Sequence, residues 1–244
     1  MAGHSQFKNI MHRKEAQDAK RAKRFTKLLR EITVAAKAGG VDPETNPRLR
    51  NALFQARHAN VPKDTIERAV NKANEASDHY DSLYYEGRGP GNTALMIHVL
   101  TDNRNRSACE VRTALTRHGG SLADVGFLFQ HVGHIDYDQV SCDELLEKSL
   151  DHDVIDVIST SQGSRLICAM EEFYGVREAL DKSFGPPNRA ALVWQASLPQ
   201  EVTGDALETL LKLLHALEDL DDVQAVWTNA DTCLESIRQG ETED

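Results

Sequence analysis

Residues 205–228, DALETLLKLLHALEDLDDVQAVWT, combine a leucine-rich helical pattern with a short strand pattern near the end of the chain. By themselves they form an αβ unit with no sheet to join. Joined to a strand, helix and strand pair within residues 93–137, they complete the βαββαβ order of a split-βαβ, or ferredoxin-like, domain. The sequence therefore predicts a discontinuous α+β domain, residues 79–138 and 200–244, into which residues 139–199 are inserted.

The inserted segment has its own αββαβ pattern. Its elements are predicted as a helix over 142–152, strands near 154–159 and 164–170, a helix over 174–184 and a strand over 190–198. In the discontinuous domain, residues 93–100 (TALMIHVL) predict a strand, Ser107 is expected to cap the next helix, and 127–137 predict a strand pair broken at Gly133.

The first 78 residues predict a different kind of domain, because Ala, Lys, Arg, Glu and Leu dominate and turn signals are few. One helix is expected from about Ala16 to Ala38, where Gly39 and Gly40 end it. A second is expected to start with Asn46 as N-cap and Pro47 at the first helical position, and a third near Pro62. The predicted fold class is thus multidomain α+β: a three-helix domain followed by two ferredoxin-like domains, the third inserted into the second.

Charge is distributed very unevenly along the chain. Residues 1–75 contain 16 Lys and Arg against 8 Asp and Glu, a net +8, whereas residues 76–244 contain 12 against 30, a net −18; together they give the overall −10. Because each Lys or Arg placed on a phosphate releases counterions, the basic segment predicts a polyanion-binding surface on an otherwise acidic protein.

The first helix is expected to have two faces. At about 100° per residue, an apolar arc forms from Phe25, Leu28, Leu29, Ile32 and Ala36. The cations that we assign to nucleic-acid binding are Lys8, Arg13, Lys14, Lys20, Arg21, Lys23, Arg24, Lys27 and Arg30, with Arg21 on the apolar side. The alternative is a merely solvated lysine face, but only Glu15 and Asp18 accompany nine cations between Lys8 and Arg30, and unbalanced like charges destabilise a helix.

A second group of cations follows the strand at 93–100. Residues 101–107 (TDNRNRS) place Arg104 and Arg106 in a loop at a helix start, and these arginines are second-rank candidates for RNA or phosphate contact. The alternative is local turn and capping duty. The glycine-rich run 86–91 precedes a strand, whereas phosphate-binding glycine loops follow one, so it predicts a structural turn or the entry to a strand, with a mobile contact loop as the alternative.

Catalysis is not indicated by any pattern in the chain. There is no nucleophile elbow, Walker loop, HExxH or paired-carboxylate signature, and we expect no enzyme activity, cofactor, metal or small-molecule substrate. His131 and His134 lack a neighbouring carboxylate or Cys that would complete a metal site.

The four cysteines are widely spaced and are expected to be reduced and mostly buried. No run is apolar enough to span a membrane or serve as a secretion signal, which predicts a cytosolic protein.

Several long stretches resemble the YebC/PmpR family, to which the mitochondrial translational activator of cytochrome oxidase subunit one also belongs. They are MAGHSQFKNIMHRKEAQDAKRAKRFTKLLREITVAAKAGG (1–40), DPETNPRLRNALFQARHANVPKDTIERAV (42–70), YEGRGPGN (85–92), LTDNRNRSACEVR (100–112) and LLHALEDLDDVQAVW (213–227). The resemblance implies a helical domain followed by two α+β domains, no catalysis, and a role as a transcriptional regulator or as a ribosome-associated factor that assists translation of proline-rich stretches. Gln6, Phe7 and Met11 depart from the family pattern, which usually has Lys-Trp and Lys there.

Together these observations predict a non-enzymatic, nucleic-acid-binding regulator of gene expression. Ribosomal RNA is favoured as the target, because the acidic remainder of the chain is repelled by a long DNA rod more than by a cleft that accepts one basic helix. Binding to promoter DNA is the alternative. A third possibility is a protein-interaction adaptor whose basic helix only improves solubility.

Overall fold

The computed structural model describes residues 3–73 and 80–230, with the side chains of residues 3–17 and 19 outside that description. The chain divides into two compact units, Met1–Tyr80 and Asp81–Asp244. The first is helical and the second contains two four-stranded antiparallel sheets, which confirms the predicted α+β class.

Three helices form the first unit: α1 (Gly3–Gly39), α2 (Pro47–His58) and α3 (Lys63–Lys72). The α1 helix starts well before the predicted Ala16. The start of α2 is as predicted, because the Asn46 side chain accepts a hydrogen bond from the Leu49 amide at 3.0 Å. The same side chain donates to the carbonyls of Ala35 and Gly40, both at 2.8 Å, and so fixes the start of α2 against the end of α1.

The core of this unit is small and aliphatic. The Thr33 hydroxyl adds a bond to the Ala69 carbonyl of α3 at 3.1 Å. The buried apolar side chains come from all three helices and, at Val61, from the turn between α2 and α3: Ile32, Ala35, Ala36, Leu49, Ala52, Leu53, Ala56, Val61, Ile66 and Ala69.

The second unit contains eight strands and four helices within residues 81–230. In chain order they are β1 (Asp81–Gly89), β2 (Thr93–Thr101), α4 (Arg104–Arg117), β3 (Ser121–Leu122), β4 (Phe129–Asp138), α5 (Cys142–Lys148), β5 (Val154–Ser159), β6 (Gly163–Ala169), α6 (Phe173–Phe184), β7 (Arg189–Ala196), α7 (Gly204–Glu218) and β8 (Val223–Thr228).

The first sheet has the order β3-β1-β2-β8. It contains both β2 and β8, so the C-terminal strand joins the sheet that the sequence assigned to it. The strand β1 was not predicted, because its last residues were taken as a turn. Glycine is required at that end, since a Cβ on Gly89 would lie 2.8 Å from the Thr93 hydroxyl oxygen. This strand supplies the inner position that residues 127–137 were expected to fill.

The second sheet has the order β5-β6-β4-β7, which is the split-βαβ arrangement in unbroken chain order. The prediction of a strand pair over 127–137 is wrong: β4 is one strand, and it pairs in this sheet with β6 and β7 rather than with β2. Gly133 interrupts the sequence pattern but not the strand. A Cβ there would lie 2.5 Å from a ring carbon of Phe173, so the glycine makes room for the buried ring.

Helices cover one face of each sheet, and the other faces meet. The α4 and α7 helices pack on the first sheet, and α5 and α6 pack on the second. Between the sheets, Met96 and Trp227 of the first contact a layer that includes Phe129, Val132 and Val193 of the second. The acidic unit is therefore held together by three apolar layers.

Two further features bear on the predictions. No helix within residues 3–73 and 80–230 is long and apolar enough to cross a bilayer. The expectation of mostly buried cysteines holds for Cys168, whose pKa is raised to about 11, mainly by burial. It is wrong for Cys109, which is exposed on α4; Cys142 is half-buried, and Cys233 lies outside the described residues.

Candidate nucleic-acid interface

The predicted apolar arc of α1 is the side that packs on the helical core. Ile32 and Ala36 are buried, and Phe25, Leu28 and Leu29 pack against the same cluster. Because this arc is occupied, the opposite side of the helix faces outward.

The predicted cations of α1 differ in exposure. Lys27 and Arg30 are half-buried, and the Arg30 guanidinium lies 5.5 Å from the ring centre of Tyr80. The exposed cations are Lys20, Arg21, Lys23 and Arg24. The α1 helix also contains Lys8, Arg13 and Lys14, for which the structure describes the backbone but not the side chains.

The carboxylates of the described residues do not neutralise three of these exposed cations. Within the described residues, no ion pair joins Lys20, Arg21 or Arg24 to an Asp or Glu. The acidic side chain nearest along the helix on its C-terminal side, Glu31, is held by Arg48 of α2 through hydrogen bonds of 2.8 and 3.2 Å. These three cations are therefore available to an external anion.

A cleft of about 410 Å³ lies beside these cations. It is lined by Lys20, Arg21, Arg24, Phe25, Ala59 and Asn60. The guanidinium of Arg21 lies over the Phe25 ring, 5.1 Å from its centre, which explains how a cation is accommodated on the apolar side of the helix. We call this feature, defined by these six residues, the α1–α2 cleft.

Ala59 and Asn60 were not among the predicted site residues. They follow α2, where Ala59 is the C-cap and Asn60 has a positive φ of 58°. Asparagine tolerates this left-handed conformation, and the turn places it beside α1. The sequence signal was an asparagine just before the Val61-Pro62 turn, but only the fold brings it to the cations.

Arg104 and Arg106 lie in the second unit, in the first turn of α4, and both contact carboxylates. Arg104 forms a two-point ion pair with Asp81, with distances of 2.6 and 2.9 Å. Arg106 donates to Asp102 and to Asp222, both at 2.7 Å. The helix is capped by Asn103, whose side chain accepts from the Arg106 amide, and not by the expected Ser107.

Asp222 is the centre of a buried polar network. Its Oδ2 accepts from Thr101, Ser107 and Arg106 at 2.7 to 2.9 Å, and the residue is 4% exposed. Burial by itself would raise the pKa of Asp222, but the hydrogen bonds from Ser107, Arg106 and Thr101 outweigh it and lower the pKa below its usual value. The 101–107 loop thus ties α4 to the residue before β8.

The two histidines of β4 have protein partners. His131 stacks on Trp194 with ring centres 4.6 Å apart, and His134 Nε2 lies 2.9 Å from the Gln195 side-chain oxygen. Burial is the main cause that lowers the pKa of each. Within residues 3–73 and 80–230, no group of three or more His, Cys, Asp or Glu side chains is arranged to hold a metal ion.

The arrangement defines a class of protein: a cation-rich helical unit joined to an acidic unit of two ferredoxin-like sheets. Two family models match it, the TACO1/YebC N-terminal domain over residues 5–76 and the TACO1/YebC second and third domain over residues 80–230. The chain belongs to the TACO1/YebC family. Membership is consistent with a regulator that acts on nucleic acid.

A solved structure agrees with this assignment. The crystal structure of a conserved hypothetical protein, Aq1575 from Aquifex aeolicus, is 40% identical to this chain and superposes with a TM-score of 0.78. The match covers 88% of this chain and 91% of the other.

Proposed function

We propose that this protein is a non-enzymatic, cytoplasmic regulator of gene expression that binds ribosomal RNA through the basic face of α1 and acts as a translation factor. The observation that carries the proposal is the group Lys20, Arg21 and Arg24, which is exposed, has no ion pair to a carboxylate within the described residues, and lines a cleft. Close cations without anions are unfavourable in the free protein, and phosphates relieve that repulsion.

The distribution of charge supports RNA over an extended DNA duplex. The acidic second unit carries most of the net −18 of residues 76–244, so a long rod of phosphates would repel it. Folded RNA offers concave sites that accept one basic element and leave the acidic sheets at a distance. Relief of stalling at proline-rich stretches is the specific translation role that we propose, following the resemblance in sequence.

Binding to promoter DNA is the second candidate, and one observation favours it. The α1 helix is 37 residues long, and an α-helix fits the major groove of DNA. A helix in the groove would discriminate sequences through base-edge contacts, with specific affinities about 10³-fold or more above random DNA.

Sedimentation of cell lysate on a sucrose gradient, with and without ribonuclease, tests the ribosomal proposal. We expect the protein in ribosomal fractions, with release by ribonuclease. A variant with Lys20→Glu, Lys23→Glu, Lys27→Glu and Arg30→Glu should remain at the top of the gradient. A control with two charge reversals on α3, Lys63→Glu and Arg68→Glu, should still co-sediment.

Other outcomes identify the competing functions. Absence of the wild-type protein from ribosomal fractions, together with sequence-selective binding to duplex DNA, would replace the translation role with transcription. Normal cellular function and unchanged nucleic-acid affinity in the charge-reversed variant would leave the protein-interaction adaptor as the explanation.

A further inference from the structure

We propose that the α1–α2 cleft binds one unpaired nucleotide, so that the preferred ligand is looped or single-stranded RNA and not a continuous duplex. This inference rests on the proposed nucleic-acid-binding function and specifies its ligand.

The size of the cleft is the first argument. Its volume of about 410 Å³ lies at the small end of the range of about 300 to 1,000 Å³ found for small-ligand sites. In an A-form RNA duplex the bases are stacked and paired and the major groove is too narrow for side chains to enter, so a duplex would offer this concavity its phosphates and 2′-hydroxyl groups. An unpaired nucleotide can place its phosphate, sugar and base inside.

The α1 side of the cleft suits a phosphate and a ring. Lys20 and Arg24 are four residues apart and therefore lie on the same side of the helix, where both can contact one phosphate group. The Arg21 guanidinium lies over the Phe25 ring, and a guanidinium offers a planar cationic surface on which a base can stack.

The α2 side of the cleft is uncharged and sets the orientation. Ala59 and Asn60 follow the C-terminal end of α2 and carry no charge, so a phosphate is held better by the cations on the α1 side. The Asn60 carboxamide offers a donor and an acceptor, the pair of groups that matches the N6 and N7 edge of adenine. The phosphate is thus placed toward α1 and the base toward Asn60, with adenine preferred.

Fluorescence anisotropy with two labelled RNAs tests the inference on the full-length protein. One is a hairpin with an adenine-rich loop and the other is a fully paired duplex with the same number of phosphates. We expect the hairpin to bind about tenfold more tightly at the same salt concentration, since stacking of one base contributes about 1 to 3 kcal/mol.

Two conservative variants separate recognition of the nucleotide from general attraction. Asn60→Gly keeps the left-handed backbone without strain but removes the carboxamide, and Arg21→Lys keeps the charge but removes the planar surface. Each should reduce the preference for the hairpin, that is, the ratio of hairpin affinity to duplex affinity, to about threefold or less, because the contact that is lost is made only with an unpaired nucleotide.

Three results would overturn the inference. Equal wild-type affinity for hairpin and duplex refutes it while the proposed function stands, and so does a hairpin preference that persists in both variants. If neither RNA binds in a salt-dependent way, the proposed function fails as well, and the inference fails with it.

Discussion

The basic face of α1 and the first turn of α4 both present cations, but they differ in their surroundings. Arg104 and Arg106 of α4 each contact a carboxylate of their own unit. Lys20 and Arg24 of α1 have no carboxylate ion pair within the described residues and line a cleft. A count of cations therefore does not show which of them can bind an external phosphate; the placement of carboxylates does.

The difference depends on contacts between distant parts of the chain. Asp222 meets Arg106 from 116 positions away, because β8 lies beside β2 in the first sheet. In α1, Arg48 reaches across from α2 to Glu31. In the second unit, the fold places the Asp222 carboxylate against Arg106. In the first unit, the fold pairs the Glu31 carboxylate with Arg48 of α2 instead of with the exposed cations of α1.

The largest expected effect is a loss of stability from removal of the Asp222 carboxylate. Asp222→Ala leaves Thr101, Ser107 and Arg106 without their shared acceptor. We therefore expect the free energy of unfolding to fall by about 3 kcal/mol. Urea denaturation followed by tryptophan fluorescence measures this, since both tryptophans, Trp194 and Trp227, lie in the same unit. Glu208→Ala, an exposed carboxylate of α7, is the control and should change little; equal stability of the two variants would refute the network.

Charge reversal on α1 is expected to act on affinity instead of stability. Lys20→Glu with Arg24→Glu should weaken RNA binding about a hundredfold at moderate salt, because two phosphate contacts become repulsive. The unfolding midpoint should stay the same, since both side chains are exposed. Anisotropy titrations at several salt concentrations measure the effect, with Lys63→Glu and Arg68→Glu as the pair of equal charge. A similar loss in both pairs would mean that only net charge matters.

Acid should remove the stabilisation provided by Asp222. Its folded pKa lies below the usual value of 3.8, so the charged carboxylate stabilises the fold above that value, and the contribution is lost as pH falls through the folded pKa. The difference in unfolding free energy between wild type and Asp222→Asn should be constant near neutral pH and shrink below 3.8. Denaturation curves across this range measure it, and a difference that grows on acidification would contradict the lowered pKa.

The smallest effect is expected at Arg104. Its guanidinium is well exposed although the bond to Asp81 raises its pKa, and exposed ion pairs add little to stability. Arg104→Ala should leave the urea midpoint unchanged and reduce RNA affinity far less than the α1 variant does. An equal loss of affinity would show that residues 101–107 also contact the RNA.

Much of the fold could be predicted because the local sequence pattern and the packing of the core favour the same helix or strand at most positions. The Asn46-Pro47 start of α2 and the strand Val223–Thr228 occur as predicted. Two predictions failed at glycines: Gly133 was taken as a break and Gly89 as part of a turn. Both lie in strands, where close approach of Phe173 and Thr93 requires the absence of a side chain. A sequence does not distinguish a glycine that ends a strand from one that makes room for a neighbour.

The sequence by itself determined that a basic helical segment precedes an acidic α+β unit, because charge and hydrophobic periodicity are local properties of the chain. It also determined which arc of α1 is apolar. Only the tertiary structure decided that Asp222 meets Arg106, that Glu31 is held by Arg48, and that Asn60 stands beside Lys20, Arg21 and Arg24. Those contacts join residues far apart in the sequence, and their free energies depend on distance and burial, which exist only after the chain has folded.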